Sequence, residues 1–225
     1  MNSAKTAILS VKTAILVDGG FYRKLSRKLW GEKSPKERAE ELRNYCYRHL
    51  KDCNLYRIFY YDCPWNIDNV FNPIKGETVN FKKNPVYTWS QDFFQELKHQ
   101  RKFALRMGRL SGTPQFVLAD GVLKKLTSGK LKVEELTEKD LRLDAKQKGV
   151  DMRIGIDITT LALKKQVDQI VLIAGDSDFV PAAKLARREG IDFILDPLRQ
   201  DIAPDLFEHI DGLRSCFKTE PQTDR

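Results

Sequence analysis

Histidine and cysteine are scarce here: three histidines (His49, His99, His209) and four cysteines (Cys46, Cys53, Cys63, Cys216), with no CxxC pair. Zinc sites need such residues at short, fixed spacings, so none is expected. Unpaired cysteines in a chain of this size fit a reducing compartment, and a cytoplasmic location is expected. There is no GxxxxGK[ST] loop and no GxGxxG turn, which excludes the two commonest glycine-rich phosphate cradles. Long apolar runs are also missing. The apolar start, Ala7 to Val17, is broken by Lys12 and leads into Asp18 and Gly19. It is too short to span a bilayer and lacks the charged start and small-residue cleavage site of a signal peptide, so no membrane partner is expected.

Acidic residues are outnumbered, 31 against 39 Lys plus Arg, which gives a net charge of +8 and a pI of about 9.2. That balance favours a polyanionic partner such as nucleic acid, although a merely basic soluble protein has the same balance. With 41% apolar and 31% charged residues the composition is globular and the core sizeable. KTAIL occurs twice, at Lys5–Leu9 and Lys12–Leu16. The first copy reads as a tail or an added strand.

The chain centres on Asp168–Pro197. Ile170–Ala174 is a short apolar run suited to a strand buried on both faces. Gly175 ends it, and Asp176-Ser177-Asp178 follows at the strand's carboxyl end, where open α/β sheets place ligands. Phe179–Arg188 reads as a helix with Val180, Ala183 and Leu185 toward the sheet. Gly190 suits its C′ position, and Ile191–Leu195 is the next strand.

Upstream, Thr13–Val17 is a strand and Asp18-Gly19-Gly20 the turn after it. Phe21–Leu29 is a basic helix. Ser34, Pro35 and Glu37 form the start signal of another, running to about Leu50. Leu55–Tyr61 is a strand ending at Asp62. Cys63–Pro85 reads as irregular, and Trp89–Arg106 as a helix. Gln115–Ala119 and Leu131–Val133 look like strands of a small excursion. Asp151–Lys165 has a helical stripe of Ile154, Ile158 and Leu161, widened by Ile156 and Leu163. The expected fold is therefore α/β: a Rossmann-like three-layer sandwich with a mostly parallel central sheet and a partly irregular insertion.

Four acids fall at strand ends or helix starts around the expected crevice: Asp18, Asp151, Asp176 and Asp178. Each has an ordinary alternative. Asp18 fits a turn before two glycines, Asp151 an N-cap, and Asp178 the cap of the helix at Phe179 with Asp176 holding the turn. Taken together they fit a divalent metal better, because hard carboxylate oxygens suit Mg²⁺ or Mn²⁺ and like charges repel without a cation between them. Asp157, inside an apolar helix, is a buried hydrogen-bonding residue or supports a site acid, and Asp62 is a weaker candidate for that support. Ser177 has no histidine base near it in sequence, so its hydroxyl reads as a water or phosphate contact rather than a nucleophile.

VDGGFYRK at Val17–Lys24, IFYYDCPW, RMGRL, KGVDMRIGIDI and IVLIAGDSDFVPAAKLARREGIDFIL together resemble the NYN domain, in its LabA-like (DUF88) branch, of the PIN-like nuclease superfamily. The resemblance covers about Thr13–Tyr61 and Gly149–Leu195, and the order VDGG, KGVD, GDSDF is what makes it specific. It implies one PIN-like domain over residues 13–215, with an insertion at about 63–148, between tails 1–12 and 216–225. It also implies Mg²⁺ or Mn²⁺ held by Asp18, Asp151, Asp176 and Asp178, and ribonuclease activity. Many relatives carry Asn where Phe21 stands, which removes a polar group from the pocket. Metal-dependent phosphodiester hydrolysis is expected, on RNA rather than DNA. Arg23, Lys24, Arg106, Arg109, Lys148 and Ser177 are the expected nucleic-acid contacts, and self-association is left open. The alternative is a nucleic-acid-binding or regulatory module with an inactive site.

Overall fold

A computed structural model describes residues 10–217; the first KTAIL copy lies outside them. In chain order the elements are β1 (Lys12–Asp18), α1 (Gly19–Trp30), α2 (Pro35–Arg48), β2 (Asn54–Asp62), β3 (Asn69–Asn72), β4 (Glu77–Asn80), α3 (Pro85–His99), β5 (Phe103–Met107) and β6 (Arg109–Leu118). There follow α4 (Val122–Thr127), β7 (Leu141–Lys148), α5 (Val150–Leu163), β8 (Gln169–Ile173), α6 (Val180–Arg188), β9 (Asp192–Asp196), α7 (Pro204–Phe207) and β10 (Gly212–Leu213).

Six strands form one sheet in the order β10-β9-β8-β1-β2-β5, and every pairing in it is parallel. Both faces of such a sheet must be covered, so its inner strands carry apolar residues at consecutive positions. β1 and β8 obey this: Ala14 to Val17 and Gln169 to Ile173 are all buried. Alternate side chains feed opposite layers. Ile15 and Val17 pack with Tyr22, Leu42, Tyr45 and Phe93 of α1, α2 and α3. Ala14 and Leu16 pack with Ile154, Ile158 and Ala183 of α5 and α6. This is the three-layer α/β sandwich expected from the sequence.

Local signals account for most helix ends. Ser34 Oγ accepts from Glu37 N while Glu37 Oε2 accepts from Ser34 N, a reciprocal capping box with Pro35 at the first position. Gly19 and Gly20 are the first turn of α1 rather than a separate turn, with Asp18 as its N-cap. Ile156 and Leu163 do not widen the buried stripe of α5; they are 56% and 54% exposed, because the sheet covers only the side carrying Ile154, Ile158 and Leu161.

The stretch from 63 to 148 holds more of the fold than its composition suggests. Its irregular start contains a hairpin, β3 against β4. The expected long helix stops at His99, and Lys102 turns the chain with a positive φ of 67°. Phe103–Met107 then becomes the edge strand beside β2. The signal is a period of two: Phe103, Leu105 and Met107 face one layer and Ala104 the other. Next comes a two-stranded antiparallel ribbon, β6 with β7, whose register slips between Ser111 and Gln115 around Gly112 and Pro114. Proline cannot donate to the ladder, so a bulge there is expected. Leu131–Val133 is not a strand; a short 3-10 turn follows at Val133–Glu135.

The end of β9 carries a buried polar knot. Asp196 Oδ2 accepts from Tyr45 Oη at 2.6 Å and lies 2.9 Å from His49 Nε2. Its Oδ1 accepts from Ser215 Oγ at 2.6 Å and Leu198 N at 2.8 Å. Cys216 N donates to Tyr45 Oη, and Phe217 packs on Trp30 and Tyr45. The knot fastens the last described residues to α2. Asp196→Ala strands four donors in a dry site and is expected to cost about 3–5 kcal/mol in urea unfolding; a loss below about 1 kcal/mol contradicts this account.

Candidate active site

The order in which the chain adds strands reverses between β1 and β8, although both run parallel. From β1 the chain leaves over one face through α1 and α2 to β2; from β8 it leaves over the other face through α6 to β9. The two connections part at the carboxyl ends of β1 and β8 and leave a crevice there, the general ligand position of open α/β sheets. Asp18 ends β1, and Asp176 follows β8 by three residues. Val17 pairs with Ile173 and Asp18 with Tyr61, so the crevice also adjoins Asp62 at the end of β2.

Asp18 is mostly enclosed. Its Oδ1 accepts from Phe21 N at 3.1 Å, which makes it the N-cap of α1 as well as the last residue of the strand. Gly19 is required by space: a Cβ there would come within 2.5 Å of the Tyr60 ring and 2.6 Å of the Tyr61 carbonyl. Without glycine, α1 could not start so close to β2. Burial raises the Asp18 carboxyl to about 6; Asp151 and Asp62 add to the rise and the Phe21 N–H opposes it.

Asp151 lies in the first turn of α5 and is not its N-cap; Gly149, with φ of 84°, holds that place. The Asp151 carboxyl is raised by desolvation and then by the charges of Asp176 and Asp178. Asp176 caps the 3-10 turn Ser177–Phe179, its Oδ1 accepting from Asp178 N at 3.0 Å. The capping role therefore falls to Asp176, and Asp178 remains exposed. Asp151 and Asp178 stand at the head of a groove of about 630 Å³ between α5 and α6, floored by Gly155, Thr159 and Ala182. Asp151 links the two motifs: its charge acts on Asp18, and the charges of Asp176 and Asp178 act on it.

The two expected supporting acids divide. Asp62 is buried, and its partners are Tyr60 Oη (2.9 Å), Arg23 Nη2 (3.0 Å) and Cys63 N (2.7 Å). Arg23 Nε lies 2.9 Å from Asp62 Oδ2 but is not aligned to donate, and Nη1 donates to Ser90 Oγ. Asp157 accepts from Tyr61 Oη at 2.8 Å and Arg106 Nε at 3.1 Å, six residues along α5 from Asp151.

Among the expected nucleic-acid contacts, Arg106 is thus tied to Asp157 and lies over Phe59. Lys24 is exposed on α1. Arg109 and Lys148 stand directly opposite each other where the ribbon leaves the body, three residues before Asp151. Like charges facing each other across a ladder are unfavourable, and an anion between them would remove the penalty. Ser177 is half-buried in the acidic turn.

Phe21 packs against Gly175. A Cβ on Gly175 would fall 2.7 Å from Phe21 Cε2. The ring thus lies against the residue immediately before Asp176. This contact was not visible in the sequence, where Phe21 registered only as a lost polar group.

All four acids offer the hard oxygens that Mg²⁺ and Mn²⁺ take, so the donor chemistry fits a divalent cation. Among the described residues, however, no three His, Cys, Asp or Glu side chains are gathered closely enough to hold one between them. Repelling carboxylates have no reason to close on one another without the cation.

The family model described as the NYN domain matches residues 12–206. Comparison with curated proteins and with solved structures finds no match.

Two outcomes follow from these contacts. The folded Asp18 carboxyl binds its proton more tightly than the unfolded one, so metal-free stability falls as pH rises from about 4 to about 6 and stays low above. Asn caps as well as Asp, so Asp18→Asn is expected to stabilise the protein in EDTA by about 1–3 kcal/mol at pH 8, with the gain vanishing toward pH 4. Equal or lower stability at pH 8 in urea titrations contradicts this. Separately, Gly175→Ala is expected to lower stability by about 1–3 kcal/mol through overpacking, and Phe21→Ala to rescue part of that loss. Additive effects in the double-mutant cycle would show that the two residues do not press on each other.

Proposed function

Given that this chain belongs to the NYN domain family of the PIN-like nuclease superfamily, we propose that it is a metal-dependent ribonuclease of the LabA-like branch. The observation that carries this reading is the placement of Asp18 at the end of β1, Asp176 and Asp178 in the turn after β8, and Asp151 at the start of α5, where its charge acts on Asp18 and it feels those of Asp176 and Asp178. Among the described residues no cation pairs with any of the four: Arg23 is taken by Asp62 and Arg106 by Asp157.

These acids would hold Mg²⁺ or Mn²⁺. Such an ion, when bound, supplies charge neutralisation at the phosphate and acidifies water for attack on phosphorus. The chain's own residues do the rest. Asp18 is fixed by its capping bond and Asp176 by its own, so both carboxylates are pre-oriented. Asp62, saturated by Arg23, Tyr60 and the Cys63 N–H, takes no part in binding and fixes Arg23 instead. Arg109 and Lys148 attract the strand, and the Ser177 hydroxyl reaches a phosphate oxygen. The basic balance, +8, favours nucleic acid as partner, and the family's nuclease fold favours hydrolysis over simple binding.

A second reading, a nucleic-acid-binding module with an inactive site, is favoured by one observation: the Phe21 ring occupies the place beside Gly175 where a polar group would serve substrate or ion. One experiment separates the two. Wild type and Asp176→Asn are incubated with single- and double-stranded RNA and DNA in Mg²⁺, Mn²⁺ or EDTA. Asn preserves the cap, so the variant folds, and cleavage of RNA is expected to fall at least about a hundredfold and to stop in EDTA. Normal metal-dependent cleavage by Asp176→Asn defeats the assignment. Binding in EDTA with no cleavage in Mn²⁺ supports the second reading.

A further inference from the structure

Next to the acids, on the other side of α1, lies a cavity of about 490 Å³. Gly20, two residues from Asp18, is part of its lining, and it runs between α1, the turn into α2 and the first turn of α3. That size falls within the range of small-molecule sites.

Five cations line it: Arg23, Lys24, Arg27, Lys33 and Arg38. Three carboxylates answer them. Glu32 pairs with Arg27 on the wall, Glu41 backs Lys33 and Arg38, and Asp62 backs Arg23. Two positive charges stay in surplus, and Lys24 is in no ion pair among the described residues. The opposite wall is aromatic. Trp89 stacks on Phe93 with ring centroids 5.1 Å apart and planes at 18°, and its Nε1 donates to the Lys33 carbonyl at 2.9 Å. The indole is therefore held in place before any ligand arrives. Uncompensated positive charge facing a fixed aromatic ring matches the two halves of a nucleotide, a phosphate and a base.

We propose that this cavity is a nucleotide subsite, which takes one unpaired nucleotide of the substrate strand beside the acid crevice, its phosphate on the unpaired Lys24 and on Arg27, which exchanges its solvent-exposed partner Glu32 for the phosphate, and its base on Trp89. The proposal rests on the nuclease reading only for the name of the strand as substrate. It makes the preferred substrate single-stranded, since a paired base cannot reach an indole inside a cavity.

Binding is measured in EDTA, where no cleavage occurs, by anisotropy of a short fluorescein-labelled single-stranded RNA and by quenching of tryptophan emission. Wild type and Asp176→Asn are expected to bind alike. Lys24→Glu/Arg27→Glu, which alters only exposed side chains, is expected to lose at least about tenfold in affinity and to flatten the salt dependence by about one to two phosphate contacts. Quenching is expected to vanish in Trp89→Phe, which keeps Trp30 and Trp65. AMP added as competitor tells the sources apart: displacement of RNA means that a free nucleotide is also taken, and failure to displace means that only a nucleotide within a strand is. An affinity within about twofold of wild type in the charge variant overturns the subsite. Quenching that survives Trp89→Phe overturns it as well, as does absence of RNA binding by the wild type. A protein that binds in this way yet cleaves nothing in Mn²⁺ loses the nuclease assignment and keeps the subsite.

Discussion

Charge that is removed from water must be answered by other charge or by hydrogen bonds, and this constraint orders the carboxyl edge of the sheet. Three strands there end in an acid. Asp62, at the end of β2, is saturated by Arg23, Tyr60 and a backbone N–H. Asp196, at the end of β9, is saturated by Tyr45, Ser215 and a backbone N–H, with His49 beside it. Asp18, at the end of β1 between them, is met by backbone N–H groups of its own cap, chiefly that of Phe21, and its carboxyl is raised to about 6. The charges of Asp151 and Asp62 act on it to raise its carboxyl further. The same residue type in the same kind of position is therefore structural twice and left open once, and the open place is where the connections leave the sheet on opposite faces.

Everything close to that place is arranged by space. Gly19 lets α1 begin against β2, which puts Phe21 within capping distance of Asp18. Gly175 lets the Phe21 ring lie against the turn that carries Asp176. The contact links the two acidic motifs, far apart in the chain, through one aromatic side chain. The anchoring of Arg23 by Asp62 has a matching effect on the other side of α1, where it closes one wall of the basic cavity. Three cations of that cavity, Arg23, Lys24 and Arg27, thus lie along α1, and Gly20 in its first turn, two residues from Asp18, is part of the cavity's lining.

Not all of this was equally legible. The apolar runs of β1 and β8, the Ser34 capping box and the stripe of α5 follow from local pattern, and the sandwich follows from their alternation. β5 was hidden because its five residues sit just behind an amphipathic helix and continue its apolar content; only the period of two in Phe103, Leu105 and Met107 marks it. β7 was hidden because it is held by pairing with β6, and its charged sequence buries little. Arg27, Lys33 and Trp89 carried no shared signal, since a cavity assembled from three helices leaves no spacing in the chain.

The sequence by itself determined the α/β class, the four strands β1, β2, β8 and β9 of the sheet and the presence of acids at strand ends, because these depend on periodicity and on residue type. Tertiary structure alone decided which acids are answered and which are not. Whether Asp62 meets a guanidinium, whether Asp196 meets a tyrosine and whether Asp18 feels the charge of another carboxylate depends on side chains 39, 151 and 133 residues away. Burial and Coulomb repulsion act through space, and the chain order holds no record of them.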